Sequence, residues 1–205
     1  MQGESTLAGM PCTFIRLAGC PLRCSYCDTT QAIPTDSGSW ISIDQIIDDV
    51  KARGRPLVLV TGGEPLAQRN CNLLLQRLLD LGIEVQLETS GAYSIADVPE
   101  GVHRIVDVKT PDSGEVERNQ LKNIQLLRAG AEVKFVICSR NDYEWSRHFI
   151  YSHGLEKSAV PLLFSSAWEE VCRHAMCEWI LEDNLRVRLP LELHKVIWGA
   201  EVSGV

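Results

Sequence analysis

The sequence predicts an α/β fold, a partial and open (β/α) barrel of about six parallel strands in one domain over residues 1–205. Two observations predict it. Short apolar runs alternate with amphipathic stretches along the chain, as when parallel strands are joined by crossover helices. The runs also number about six or seven, too few for the eight strands of a complete barrel. At 205 residues, 45% of them hydrophobic, the chain can bury one sizeable core.

Residues 13–17 are a β-type run that leads straight into a cysteine-rich loop. Ser42 opens a helix, because Gln45 three residues on completes a capping box and Ile43, Ile46, Ile47 and Val50 share one face. Gly54 and Pro56 end it, and residues 57–60 read as a fully buried strand. Leu74, Leu75, Leu78 and Leu79 mark the next helix, with Gly82 suited to its end. Strands are expected at 83–88, 104–109, 133–137, 160–164 and 186–191, and helices at 119–128, 143–149 and 168–181. The segment 88–104 is too short for a full helix, so that crossover is expected to be a loop.

Composition excludes several classes. A formal charge of −7 does not invite a nucleic-acid backbone, which leaves a small molecule as the expected partner. No window approaches the ~18 apolar residues of a membrane span, and residues 1–5 lack the regions of a signal peptide. A cytoplasmic location with reduced cysteines is the expectation. Cys71, Cys138, Cys172 and Cys177 are scattered, and lone cysteines usually serve as small core hydrophobes.

Chemistry concentrates where strands end, since sites in parallel α/β sheets gather at carboxyl ends. Residues 20–29, 61–65, 88–91, 109–111 and 165–166 are polar or glycine-rich just past a strand and are expected to share one rim. Cys20, Cys24 and Cys27 stand at C-x₃-C-x₂-C spacing. A structural zinc site takes four protein ligands, and with Cys12 a non-enzymatic Cys₄ zinc module is the alternative. A trio instead leaves one iron of a [4Fe–4S] cluster open. In Gly62-Gly63-Glu64-Pro65 the glycines permit close approach of backbone to a ligand, and the carboxylate can accept from a protonated amine.

The cysteine spacing, with Tyr26 just before the last cysteine, resembles the signature of the radical S-adenosylmethionine superfamily, and Gly62-Gly63-Glu64-Pro65 matches its second motif. Gln2-Gly3-Glu4, Arg16, Cys27-Asp28-Thr29, Thr61, Glu88-Thr89-Ser90-Gly91, Asp107-Val108-Lys109-Thr110-Pro111 and Leu193-His194-Lys195-Val196-Ile197-Trp198-Gly199 follow in order. Together they resemble the 7-carboxy-7-deazaguanine synthase family over essentially the whole chain.

The resemblance implies the partial barrel and a reaction. A reduced [4Fe–4S] cluster would cleave S-adenosylmethionine to a 5′-deoxyadenosyl radical that abstracts hydrogen from C6 of 6-carboxy-5,6,7,8-tetrahydropterin. Ring contraction and loss of ammonia would give 7-carboxy-7-deazaguanine for queuosine or other 7-deazapurine biosynthesis, with S-adenosylmethionine regenerated. It further implies Mg²⁺, an electron donor such as flavodoxin or ferredoxin, and a homodimer.

By the same resemblance Cys20, Cys24 and Cys27 would hold the cluster, and Thr29 the Mg²⁺. Tyr26, Cys27, Asp28, Gly62, Gly63, Glu64, Ser90, Lys109, Thr110 and Pro111 would line the S-adenosylmethionine site. Met1, Gln2, Gly3, Glu4, Arg16 and Thr61 would hold the substrate, Arg16 having the planar fork suited to a carboxylate. His194 and Lys195 read as packing residues. Family members usually carry a short strand before Gln-Gly-Glu, where only Met1 stands here. Either the start is assigned too late or the edge strand is absent, and if it is absent, weaker substrate binding with an intact cluster is expected. A glycyl-radical activase would share the cysteine motif, but not Gln-Gly-Glu or the Leu-His-Lys-Val-Ile-Trp run.

Overall fold

The computed structural model describes residues 1–167, 171–199 and 202. Six strands form one sheet in the order of the sequence: β1 (Cys12–Leu17), β2 (Leu57–Gly62), β3 (Glu84–Thr89), β4 (His103–Val108), β5 (Ala131–Ile137) and β6 (Leu162–Ser166). Every neighbouring pair is parallel. Sequential order with right-handed crossovers puts all connections on one face, the winding of a (β/α) barrel. β1 and β6 are the two edges of the sheet, so the barrel is open.

The helices are α1 (Ile43–Arg53), α2 (Cys71–Leu79), α3 (Lys122–Gln125), α4 (Arg140–Ser152), α5 (Arg173–Glu182) and α6 (Leu193–Trp198). The capping box of α1 is present: the Ser42 hydroxyl accepts from Gln45 N at 3.2 Å, and Ser42 N donates to Gln45 Oε1 at 3.0 Å. Among the described residues no helix is long and apolar enough to cross a membrane.

Side chains alternate between the two faces of each strand. One face carries Val58, Val60, Val85, Leu87, Val106, Val133, Phe135 and Phe164, packed against Ile47, Val50, Leu74, Leu75, Leu78, Tyr143, Phe149 and Ile150. This is the core. Phe135 meets Phe149 and Phe164 edge-on at 5.8 and 5.5 Å, contacts that add about 0.5–1.5 kcal/mol each beyond area burial. The opposite face is polar. Its register sets Arg16 beside Thr61, Leu59 beside Gln86, Glu88 beside Ile105 and Asp107 beside Lys134.

The first residues cover that polar face. Gln2 Nε2 donates to Gln86 Oε1, and Gln86 Nε2 to Ser5 Oγ at 3.0 Å. Thr6 N donates to both Glu132 oxygens at 3.1 Å, and His103 Nε2 lies 2.5 Å from the same carboxylate. Leu193 N donates to Gly3 O at 3.1 Å, which seats α6 on this segment.

Several expectations need correction. The helix expected at 119–128 is one turn, α3, because its polar residues are used elsewhere. Asn123 Oδ1 accepts from Ile95 N, and Asn123 Nδ2 donates to Gly91 O and Tyr93 O. These bonds staple the β3–β4 connection, which has no helix of its own, as expected. The strand expected at 186–191 is a single bridge between Leu163 and Arg188; Pro190 two residues on has no N–H to extend a ladder. The strand expected at 160–164 starts later, at Leu162. α5 begins at Arg173, and residues 168–170 of the helix expected there lie outside the described residues. All eight cysteines are free. Cys71 is a core residue, but Cys172 is exposed and Cys138 and Cys177 half-buried, so the four are not one class.

Candidate active site

The cysteine loop leaves β1 at Leu17 and is pinned at its base, where Gly19 N donates to Ala32 O at 2.8 Å and Cys20 N to Ile33 O at 3.0 Å. Leu22 anchors it in the interior, and Cys27 N closes a turn onto Cys24 O. The three thiols are half-buried. Burial pushes Cys24 up to about 11 and raises Cys20 as well, so both are neutral thiols until a metal displaces their protons. Cys12 begins β1 while the loop leaves its other end, and five residues of strand span about 16 Å. Cys12 therefore cannot close a zinc tetrahedron with the trio. What remains is three soft thiolates on one loop, a donor set that fits a four-iron cluster with one iron open.

The Gly-Gly-Glu-Pro turn seats this loop. Gly63 N donates to Leu17 O at 3.0 Å, and Glu64 N to Gly19 O at 2.9 Å. A Cβ at Gly62 would stand 2.2 Å from Leu17 O, and one at Gly63 2.2 Å from Gly19 O. The close approach that demands glycine is therefore to the cysteine loop rather than to a ligand. Glu64 is wholly buried. Its carboxylate accepts from Leu66 N at 2.8 Å, Thr89 Oγ1 at 2.9 Å, Ser90 N at 2.7 Å and the Ser90 hydroxyl. Its lone pairs are taken by its own chain, and they fix Ser90 at the end of β3.

Past β4, Lys109 Nζ lies 2.7 Å from Asp107 Oδ2 and 5.6 Å from the centre of the Tyr26 ring. Burial works against the charge, but Asp107 outweighs it and holds the ammonium well above the usual lysine range. Thr110 is buried, its hydroxyl within hydrogen-bond distance of Val136 O and Asp142 Oδ2. Pro111 opens a short turn whose Ser113 O accepts from Ser25 N at 3.1 Å. The 109–113 segment is thus the floor of the cysteine loop.

The residues expected to hold substrate lie on the polar face of the sheet or at its rim. Arg16 Nη1 donates to Gly62 O at 3.1 Å and reaches Thr29 Oγ1 at 3.4 Å; Thr29 donates to Asp28 Oδ1 at 3.0 Å. Thr61 is buried beside Arg16, and Gln2 is buried, while Met1 is partly exposed. Glu4 pairs with Lys134 at 2.5 Å, and Lys134 also reaches Glu88 at 3.0 Å. Burial opposes all three charges. The two carboxylates nevertheless raise Lys134 well above the lysine range, and Lys134 lowers Glu4, while Glu88 stays raised by burial.

His194 and Lys195 are not mere packing. Lys195 Nζ pairs with Glu192 and reaches Asp28 Oδ2 at 3.4 Å. Ligand atoms of Glu4, Glu192 and His194 lie within 4.8 Å of one another, and His194 Nδ1 presses on Gly3, where a Cβ would come within 2.5 Å. The sequence reasoning missed Lys134 and Glu192, and gave Glu88 and Asp107 no role. The signal was present: Gln86 and Glu88 in β3, and Glu132 and Lys134 in β5, are polar residues at every second position of otherwise apolar strands.

This geometry, three thiols on the loop after β1 seated by Gly-Gly-Glu-Pro after β2, is that of a radical S-adenosylmethionine protein. The family model of the Radical SAM superfamily matches residues 14–110. Among solved structures, Streptococcus suis SuiB bound to precursor peptide SuiA has a TM-score of 0.63 at 12% identity, over 90% of this chain and 49% of that one. SuiB bound to S-adenosylmethionine gives 0.59 at 12% identity over 91% and 48%. The chain spans about half of SuiB, and the likeness is one of fold. Curated relatives align over the full length. The 7-carboxy-7-deazaguanine synthase of Koribacter versatilis is 42% identical over 100% of this chain and 96% of its own. That of Chlorobaculum tepidum is 41% identical over 100% and 93%. The chain belongs to the 7-carboxy-7-deazaguanine synthase family within the Radical SAM superfamily.

Proposed function

We propose that the protein converts 6-carboxy-5,6,7,8-tetrahydropterin to 7-carboxy-7-deazaguanine, a carbon–nitrogen lyase reaction with ring contraction and loss of ammonia. The observation that carries it is the facing of a three-thiol loop and a polar sheet face in a chain 42% identical to a named synthase. Bound here, the cluster and S-adenosylmethionine would supply radical hydrogen-atom abstraction at C6 of the pterin. The chain's own residues bind and orient. Cys20, Cys24 and Cys27 hold the cluster. Tyr26, Asp28, the Gly62–Gly63 backbone, Ser90 and residues 109–111 line the cofactor site, with Glu64 acting through the Ser90 it fixes.

The Arg16 guanidinium matches the substrate carboxylate in a bidentate fork. Thr61 and the Gln2-Gly3-Glu4 turn bind the pterin, Glu4 being held by Lys134. The Thr29 hydroxyl would give one oxygen to Mg²⁺, a hard ion suited to oxygen donors. The protein acts as one domain in the cytoplasm, as a homodimer, and takes its electron from a flavodoxin or ferredoxin.

The test is anaerobic incubation of the reconstituted, reduced protein with S-adenosylmethionine, Mg²⁺ and the carboxytetrahydropterin, followed by mass spectrometry. The deazapurine is expected. A colourless one-zinc protein, or a glycyl radical formed on a partner without deazapurine, refutes the proposal.

A further inference from the structure

A buried ion pair is weak evidence for stability, because desolvation cancels much of the attraction. Asp107 and Lys109 form such a pair directly beneath the cysteine loop, with both side chains nearly buried. Lys109 is held at both ends. Its backbone is bracketed by Asn119, which accepts from Lys109 N and donates to Lys109 O at 2.8 Å each. Its ammonium lies 2.7 Å from Asp107 Oδ2 and 5.6 Å from the centre of the ring of Tyr26, the residue just before Cys27. The loop is clamped onto the same floor: Ser25 Oγ donates to Asp112 O at 2.6 Å, and Arg23 N to Glu115 Oε1 at 2.5 Å. The pair is therefore oriented. The ammonium is the end of the pair that meets the cysteine loop, through the Tyr26 ring at 5.6 Å, and the Asp107 carboxylate is bonded to that ammonium.

Net charge and nearby fixed charges set the potentials of iron–sulfur clusters, alongside hydrogen bonds and exposure. One-electron reduction of a [4Fe–4S]²⁺ cluster to the 1+ state adds a negative charge, which a fixed cation beside the thiolates stabilises. We propose that Lys109 raises the reduction potential of the cluster held by Cys20, Cys24 and Cys27, and that Asp107 limits the rise. Both are positioning residues acting through the field at the sulfurs. The inference rests on the four-iron reading of the loop, and its test separates the two.

Wild type, Lys109→Met, Asp107→Asn and the double variant are reconstituted anaerobically, assayed for iron, and titrated with dithionite by electron paramagnetic resonance without S-adenosylmethionine. The titration is run at about pH 6.5, well on the acid side of the usual lysine range. Lys109→Met is expected to shift the midpoint down and Asp107→Asn up, with the double variant between Lys109→Met and wild type. Distortion of the loop would move both single variants the same way, and that result, or unmoved midpoints, overturns the inference while leaving the cluster reading intact. Should Lys109→Met fail to load iron, Asp107→Asn decides alone: an upward shift supports the inference and no shift overturns it. A wild type without about four irons removes the cluster reading itself.

Discussion

Replacing Gly63 by Ala tests whether the Gly-Gly-Glu-Pro turn exists to seat the cysteine loop. The new Cβ would stand 2.2 Å from Gly19 O, 2.6 Å from Gly19 C and 2.9 Å from Ala32 O, all backbone atoms of the loop base. Real Cβ atoms essentially never come within 3.0 Å of such atoms, so Gly19 must retreat by about 0.8 Å. Functional constellations tolerate only about 0.5 Å of misplacement, so Cys20, one residue on, leaves its productive position. Overpacking of this kind costs about 1–3 kcal/mol, which at about 2–4 °C per kcal/mol lowers the melting temperature by roughly 2–12 °C. The assays are iron content and visible absorbance after anaerobic reconstitution, with thermal unfolding of the metal-free protein. Gly82→Ala is the control, because Gly82 has φ +72° but nothing within 4 Å of where its Cβ would stand. It should lose about 1 kcal/mol from backbone strain and load iron normally. A Gly63→Ala protein with full iron and a wild-type melting temperature would refute the reasoning.

Two further perturbations probe the polar sheet face. Lys134→Met leaves the half-buried Glu4 and Glu88 without their cation, a loss of about 3 kcal/mol at neutral pH, the low end for a buried pair. Both carboxyls then rise above their unfolded values, so the penalty shrinks as pH falls and they protonate; an equal melting deficit at pH 5 and pH 8 would count against this account. At Glu132, burial pushes the carboxyl up, but hydrogen bonds from His103 and Thr6 outweigh it and hold it below 4.5. Its stabilisation is complete above that value and lost as pH falls through the lower folded one. Glu132→Gln should therefore be less stable at pH 7 and lose less between pH 5 and pH 3 in urea titrations, whereas parallel curves for the two proteins would exclude the effect.

Local chemistry is readable where neighbours in sequence are neighbours in space. Ser42 and Gln45 cap α1 because three residues of helix bring them together, and Cys20, Cys24 and Cys27 share one loop for the same reason. Partners far apart in sequence are not readable. Asn123 looks like a helix interior because nothing nearby announces that Ile95, Gly91 and Tyr93 need its amide. Leu-His-Lys-Val-Ile-Trp looks like packing because Asp28, which faces Lys195, lies 167 residues away. The alternation of Glu132 and Lys134 inside an apolar strand is the mark of a polar barrel face. It is masked by the usual reading of a parallel sheet, in which each strand is buried on both sides.

The hold of the first residues on β3 and β5 carries a consequence for biosynthesis. Thr6 bonds to Glu132 across 126 residues, and Glu4 to Lys134 across 130. At about 5–20 residues per second, roughly 6–25 s of translation separate the two halves of each contact. During that interval the Gln2–Thr6 segment has no β5 to rest on, while β1 to β4 can already pair in the order they emerge. This segment is made well before β5 yet docks only after it, so the cover over the polar sheet face must wait for β5 to leave the ribosome.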